Sequence, residues 1–296
     1  MNDTTGVMRP EPGLRLLRAP NPGPMTFTGT NTYLLGEGRV AVIDPGPDQP
    51  AHLSAILAAL APGECVSHIF VTHSHADHSP LSRALAAETG APVLAFGDAR
   101  SGRSARMEAL AAEGGIGGGE GLDAAFRPDE ALADGTVVEG AGWALRAIHT
   151  PGHIGNHLCL AWGNRIFSGD HVMGWASSLV SPPDGDMGAY MTSLARLAAE
   201  GATRLYPGHG DPVARPAERI VALTVHRRER EAQILAALRE APSDAAGLAA
   251  RIYIETPPAL LAAATRNVLA HLVDLEDRNL VACEGPLHPD AVFRQI

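Results

Sequence analysis

Two hydrophobic rhythms run along the chain. Short runs rich in Val and Ile, such as "RVAVIDPG" at 39–46 and "VSHIFVTH" at 66–73, predict strands that stop at turn residues. Between and after them, "AHLSAILAAL" at 51–60 and "LSRALAAETG" at 81–90 place apolar residues at helical spacing, the second closing on Gly90. With "PVLAF" at 92–96 the order is β-α-β-α-β, a sheet with helices on its faces. The strand rhythm resumes at residue 143. "WALRAIH" ends at His149, "HLCLAW" and "RIFSGD" predict a hairpin across Gly163 and Asn164, and "TRLYPGHG" follows a helix at about 188–200. On that helix Tyr190, Leu194 and Leu197 share one face, a packing stripe.

Residues 100–135 break the pattern. Arg100, Arg103 and Arg106, followed by "GGIGGGEG" at 114–121, predict a mobile surface excursion, either a tolerated insertion or a lid. Beyond "GDPVARPAERI" the rhythm turns helical. Pro216 suits a helix start, and a long helix is expected to about Glu240. Two shorter helical stretches follow, "AAGLAARIYI" and "PPALLAAATRNVLAHLVDLEDRNL", and then two short strands in "LVACEG" and "AVFRQI". Three helices and a hairpin outline a winged helix. The expected division is one domain over 1–215 and a small helical, winged-helix-like domain over 216–296.

Composition narrows the classes. With 296 residues, 45% hydrophobic and 19% charged, the chain can bury a large core and has no disordered signature. A net charge of -10 counts against a general polyanion binder, whose affinity rests on cations at phosphates. It does not exclude a phosphodiester substrate, because bound divalent ions can dominate the charge of a cleft. Cys65, Cys159 and Cys283 are odd in number and far apart, so they are read as small buried residues in a reducing compartment. The opening "MNDTTGVMRPEPG" has no apolar leader core, and no apolar run is long enough to span a bilayer, so a cytoplasmic location is expected.

The candidate chemistry begins at "VTHSHADHSP", residues 71–80. Residues two apart on extended backbone point to the same side, so His73 and His75 aim together past a strand end. Asp77 and His78 fall in the next turn. Three further candidates stand at strand ends: His153 in "HTPGH", Asp170 in "SGDH" and His209 in "YPGHG". We assign His73, His75 and His153 to one ion, and Asp77, His78 and His209 to a second. Asp170 bridges them, since a carboxylate offers two oxygens. Asp77 and Asp170 are also the candidate catalytic carboxylates, beside a metal-activated water as nucleophile. Imidazole and carboxylate without thiolate suit two zinc ions, with iron or manganese as alternatives. His149, His157 and His171 are expected to support ligands by hydrogen bonds, the other role being proton donation to a leaving group. Ser74 is read as a turn residue, and His52, His68, His226, His271 and His288 as structural.

"THSHADH" (72–78), "TPGH" (150–153), "SGD" (168–170) and "PGHG" (207–210), with "IDPG" (43–46), resemble the metallo-β-lactamase superfamily over about residues 14–215. The resemblance implies an α+β fold, a four-layer αββα sandwich of mixed sheets with metals at one edge. It implies that Asp44 supports the metal ligands, and that the chain is a metal-dependent hydrolase of a phosphodiester or a small ester or thioester. Asp170, where dedicated β-lactamases carry cysteine or serine, argues against an antibiotic hydrolase. "GTNTYLLG" (29–36), "SGDHVMGWASSLVSPPDGDM" (168–187) and the helical tail resemble a narrower group with a winged-helix-like C-terminal domain, an animal member of which cleaves single-stranded RNA. An RNA or small-molecule substrate is therefore expected. Arg227, Arg228 and Arg230 could touch phosphates, although their alternation with Glu229 and Glu231 reads as a solvated helix face. The alternatives are a glyoxalase II-like thioesterase and a mononuclear iron persulfide dioxygenase; the full second ligand group speaks for two ions. The acidic balance favours homodimerisation through the C-terminal domain over nucleic-acid recognition.

Overall fold

The computed structural model describes residues 6–117, 121–283 and 285–296. The first five residues, part of the stretch read as lacking a leader, lie outside the described residues. So do 118–120 of the glycine-rich run and Glu284 of "LVACEG".

Strands β1 (Met8–Glu11), β2 (Leu14–Arg18), β3 (Asn31–Leu35) and β4 (Arg39–Ile43) form an antiparallel meander. Helix α1 (Pro50–Ala58) then leads to β5 (Cys65–Phe70), α2 (Leu81–Thr89) to β6 (Val93–Ala95), and α3 (Ala105–Glu113) to β7 (Glu130–Ala131), each strand parallel to the one before. These seven strands make one mixed sheet in chain order. A second meander runs through β8 (Val137–Gly140), β9 (Trp143–His149), β10 (Leu158–Trp162) and β11 (Arg165–Gly169). Helix α4 (Met187–Ala199) returns the chain to β12 (Arg204–Pro207), which lies parallel to β11 at the sheet edge. The tail comprises α5 (Pro216–Glu240), α6 (Ala245–Ile252), α7 (Pro258–Asp277) and an antiparallel pair, β13 (Val281–Cys283) and β14 (Phe293–Gln295).

Period-two alternation stacks the layers. On β4, Ala41 and Ile43 join Phe70, Leu145, Leu160 and Phe167 between the two sheets. Val40 and Val42 turn the other way, onto Ile56 of α1 and Leu85 of α2. In the second sheet Phe167 and Tyr206 face inward, while Ile166 and Leu205 pack against Tyr190, Leu194 and Leu197 of α4. Helix, sheet, sheet and helix are thus the expected four layers of an α+β sandwich, and a one-residue slip in any strand would turn its core face outward. Apolar contacts also cross residue 216, since Ile220 and Leu223 of α5 share the α4 cluster.

Four expectations need correction. The strand expected over 66–73 ends at Phe70, because the Thr72 amide turns away to the Asp44 carboxylate at 2.7 Å. The excursion at 100–135 contains a capped helix: Ser104 accepts from the Met107 amide, and Gly114 closes α3 in the left-handed region. Met107, Leu110 and Ile116 are buried with Ile234, Leu248, Val268 and Leu272 of the tail. Arg106 pairs with Glu276 at 2.5 Å and Asp277 at 3.1 Å. The third correction concerns α5. Arg227 is fully buried, and Arg230 lies over Tyr253 and bonds Gln233, so of the three arginines only Arg228 is exposed. Of the three cysteines only Cys159 is buried, its thiol pushed up to about 12 chiefly by burial. Among the described residues no helix is long and apolar enough to cross a membrane.

Truncating Leu110 to alanine tests the packing of α3. We expect a loss of about 2–5 kcal/mol in urea unfolding, as for a core leucine. A residue on a loose surface excursion would cost less than about 0.5 kcal/mol.

Candidate metal centre

The seven candidate side chains come from separate connections but meet at one edge of the sandwich. The β5–α2 loop brings His73, His75, Asp77 and His78; the β9–β10 connection brings His153; Asp170 follows β11 and His209 follows β12. Ligand-type atoms of His73, His75 and His153 lie within 4.8 Å of one another, as do those of Asp77, His78 and His209. A third group within the same limit joins His73, His78 and Asp170. The Asp170 carboxylate stands between the two trios: Oδ1 is 3.5 Å from His78 Nε2, and Oδ2 is 3.3 Å from His209 Nε2 and 3.9 Å from His153 Nε2.

Each of four imidazoles has its Nδ1 engaged from behind. His78 Nδ1 meets Asp44 Oδ2 at 3.0 Å, and His153 Nδ1 meets the Leu179 carbonyl at 2.6 Å. His209 Nδ1 meets the Gly29 carbonyl at 3.3 Å. His73 Nδ1 meets Thr72 Oγ1 at 2.9 Å, while that hydroxyl donates to Asp44 Oδ2 at 2.8 Å. A carbonyl or carboxylate can only accept, and the Thr72 hydroxyl has its proton committed to Asp44. Each Nδ1 therefore carries hydrogen and each Nε2 is free to face inward, the arrangement by which outer partners orient metal-binding histidines. His75 turns its Nδ1 inward instead, 2.9 Å from His153 Nε2.

Buried nitrogens facing each other without a proton to share are costly, and so are orphaned acceptors. His73 Nε2 and Asp170 Oδ1 are buried without a hydrogen-bond partner. His78 Nε2 and His209 Nε2 approach to 3.3 Å. A cation among these atoms would satisfy all of them, and a donor set of imidazole and carboxylate fits a divalent metal.

Protons take that role in the metal-free chain. Burial opposes charge on His78, but Asp77, Asp170 and Asp44 overcome it and hold its pKa well above the usual histidine range. His209 responds in the same way to Asp170 and Asp77, rising to about 9 against burial. Burial alone would raise Asp77 and Asp170, yet His78 and His209 hold both carboxyls well below their ordinary range. His75 is pushed down to about 3, first by burial and then by its neighbour His153.

Against expectation, none of His149, His157 and His171 hydrogen-bonds a ligand side chain. His157 pairs with Thr150 Oγ1 at 2.9 Å and lies beside the His73 ring. His171 packs near Tyr190, and burial pushes it down to about 3. His149 stacks on Phe96 and bonds the Gly155 carbonyl. His157 and His171 are fully buried, and burial holds both below the usual histidine range. Ser74 fits its turn role, its Oγ accepting from Asn156 Nδ2 at 3.0 Å.

Sequence reasoning gave no role to Asn31, Asn156 or Leu179. Asn31 Nδ2 donates to the Pro207 carbonyl at 2.9 Å and the Gly210 carbonyl at 2.7 Å, fixing the loop that carries His209. Asn31 sits within the quoted "GTNTYLLG", so its motif was visible and its task was not. Leu179 acts through backbone, which leaves no trace in residue type. Gly208 allows the closest approach: a Cβ there would clash with Asp170 Oδ1 and come 2.6 Å from His78 Cε1. At the rim, Phe27 and Trp175 stack with ring centroids 4.8 Å apart beside Gly210, and Phe27 is 47% exposed.

Comparison with known proteins identifies the family. Residues 25–209 match the metallo-beta-lactamase superfamily, and residues 245–286 match the beta-lactamase associated winged helix domain. The chain belongs to the metallo-beta-lactamase superfamily and is a metal-dependent hydrolase with a C-terminal winged-helix domain. It is 33% identical to the beta-lactamase-like protein 2 homolog of Drosophila melanogaster, over 86% of this chain and 85% of that one. It is 35% identical to an atrochrysone carboxyl ACP thioesterase of Paecilomyces divaricatus, over 77% of this chain and 65% of that one. The chain thus spans about two thirds of the fungal relative. A solved metallo-beta-lactamase family protein of Thermus thermophilus superposes with a TM-score of 0.76 at 27% identity, covering 97% of this chain and 99% of that one.

Two measurements probe the site. A Gly208→Ala variant should stay folded by circular dichroism yet lose bound metal, because the methyl group displaces Asp170 and His78; full metal content would contradict this. Metal uptake should also release protons at pH 7, since His209, at about 9, is still protonated there and must give up the proton on Nε2. Apparent affinity should rise with pH until about 9. Titration calorimetry in buffers of different ionisation enthalpy reads this directly.

Proposed function

We propose that this chain is a dinuclear zinc hydrolase acting on carboxylic thioesters. His73, His75 and His153 would hold one ion, Asp77, His78 and His209 the other, with Asp170 shared. The observation carrying this reading is the Asp170 carboxylate, whose two oxygens reach toward both trios. Divalent ions there would supply Lewis acidity toward a carbonyl and make water nucleophilic near neutral pH.

The protein's own groups prepare that chemistry. Asp44, Leu179, Gly29 and Thr72 hold protons on the outer nitrogens and keep the inner ones in place. Asp77 is the most open of the carboxylates, at 27% side-chain exposure against 10% for Asp170, and so lies nearest the entering substrate. The Phe27–Trp175 ledge offers an apolar, aromatic support beside His209 for an acyl group.

Charge separates a thioester from RNA. Arg227 is buried and Arg230 is engaged on Tyr253, so two of the three cations that could have touched phosphates are unavailable. With a net charge of -10, little is left to hold a polyanion. The thioesterase among the relatives supports the same choice. Single-stranded RNA remains the second reading, favoured by the winged-helix match and by a ledge on which a base could stack. A cytoplasmic location fits three cysteines, odd in number and far apart in sequence, that outline no disulfide framework.

The zinc-loaded protein should be assayed in parallel on an aryl-acyl carrier thioester, a glutathione thioester, single-stranded RNA and a β-lactam. We expect thioester hydrolysis that is abolished by chelation and by Asp170→Asn. Phe27→Ala should raise KM for the aryl thioester with little change in kcat. Cleavage of RNA alone would overturn the proposal.

A further inference from the structure

The connection from β11 to α4 carries two parts of the site. Asp170 begins it, and Leu179 offers the carbonyl that engages His153 Nδ1 at 2.6 Å. Trp175 of the aromatic ledge stands between them. Residues 171–186 contain neither helix nor strand, so their backbone groups need partners from elsewhere.

Those partners come from the C-terminal helices. Arg219 of α5 donates to the Met173 carbonyl at 2.7 Å and the Ala176 carbonyl at 2.6 Å. Arg227, further along the same helix, donates to the Ser178 carbonyl and to Asn267 Oδ1, the latter at 3.1 Å. Asn267 of α7 in turn accepts from the Val180 amide at 3.0 Å. Arg266 donates to Ser181 Oγ and to the Pro182 carbonyl, both at 2.8 Å. Leu179 is thus gripped on both sides, through Ser178 and Val180, by one linked pair of side chains.

The grip uses an unusual donor. Arg227 is 0% exposed, and among the described residues its partners are a carbonyl, an amide oxygen and the Tyr190 ring, 5.1 Å away, rather than a carboxylate. Burying a cation is expensive, and strong hydrogen bonds to fixed acceptors are what offset it. A guanidinium also has the planar fork needed to reach two acceptors at once.

We propose that Arg227 and Asn267 are positioning residues for the metal centre: they fix Ser178–Val180 so that the Leu179 carbonyl orients His153. The C-terminal helices α5 and α7, on this account, act inward on the site of their own chain. The proposal rests on the reading of His153 as a metal ligand, and the experiment separates the two.

The experiment measures zinc affinity by chelator competition and the visible spectrum of the cobalt-substituted protein, using the full chain. Wild type should take up two equivalents; failure to bind any would overturn the metal reading itself. Asn267→Leu and Arg227→Met should weaken one equivalent by about tenfold or more, the usual effect of losing an outer partner, and change the cobalt spectrum. The other equivalent should be retained. Arg227→Lys should recover part of the loss, and Arg228→Ala, on the exposed side of the same helix, should change neither readout. If Arg227→Met does not fold, Asn267→Leu decides by the same two readouts. Folded variants with wild-type affinity and spectrum, or an equal weakening of both equivalents, would overturn the positioning role while leaving the metal reading intact.

Discussion

A single buried carboxylate organises the metal edge. Asp44 follows β4 with a positive φ of 50°, and is only 2% exposed. A charge so placed must be fully hydrogen-bonded. Its oxygens take the Thr72 amide, the Thr72 hydroxyl and His78 Nδ1. The first of these bonds pulls the chain out of the sheet after β5; the second lets Thr72 hold His73; the third aims His78. Its own carbonyl accepts from Thr32, whose hydroxyl also meets His52, bracing the turn from β3 and α1. Two histidines of the centre therefore owe their direction to one aspartate just past the end of the neighbouring strand.

The opposite sheet is tied in through β3. Asn31 reaches the Pro207 and Gly210 carbonyls, and the Tyr33 hydroxyl donates to the Pro207 carbonyl at 2.7 Å. His209 is thus held by residues of the first sheet although it follows the last strand of the second. Ligand-type side chains from both sheets can converge only if the sheets keep their offset, and these polar contacts, at the margin of the apolar core, fix it.

Much of this was legible in the residues. Strand ends at His149 and at Gly163–Asn164, the helix from Pro216 to Glu240 and the terminal hairpin carry strong local signals: alternation, turn residues and proline at a helix start. The seven candidate side chains stood out because four crowd into residues 73–78 and the other three, His153, Asp170 and His209, each stand beside glycine at a strand end. Helix α3 was hidden because Met107 and Leu110 are spaced among alanines and arginines and followed by glycines, so local composition outweighed an amphipathic face whose partner lies more than 100 residues away. The burial of Arg227 was hidden for a similar reason. Its charge and neighbours describe a solvated face, and only the arrival of α4 and α7 encloses it. Outer partners such as the Leu179 carbonyl are invisible in principle, since every residue has one.

The fastening of α3 has a consequence for how the molecule comes apart. Arg103 pairs with Asp184, Ser104 bonds Asp186 at 2.8 Å, and Arg106 reaches Glu276 and Asp277. One short helix from the middle of the chain is thereby riveted both to the loop beside the metal edge and to the last long helix. Such sequence-distant contacts form late and are lost together. Among the described residues these contacts leave the C-terminal helices fastened to the rest, so the two halves should melt together rather than as beads on a string.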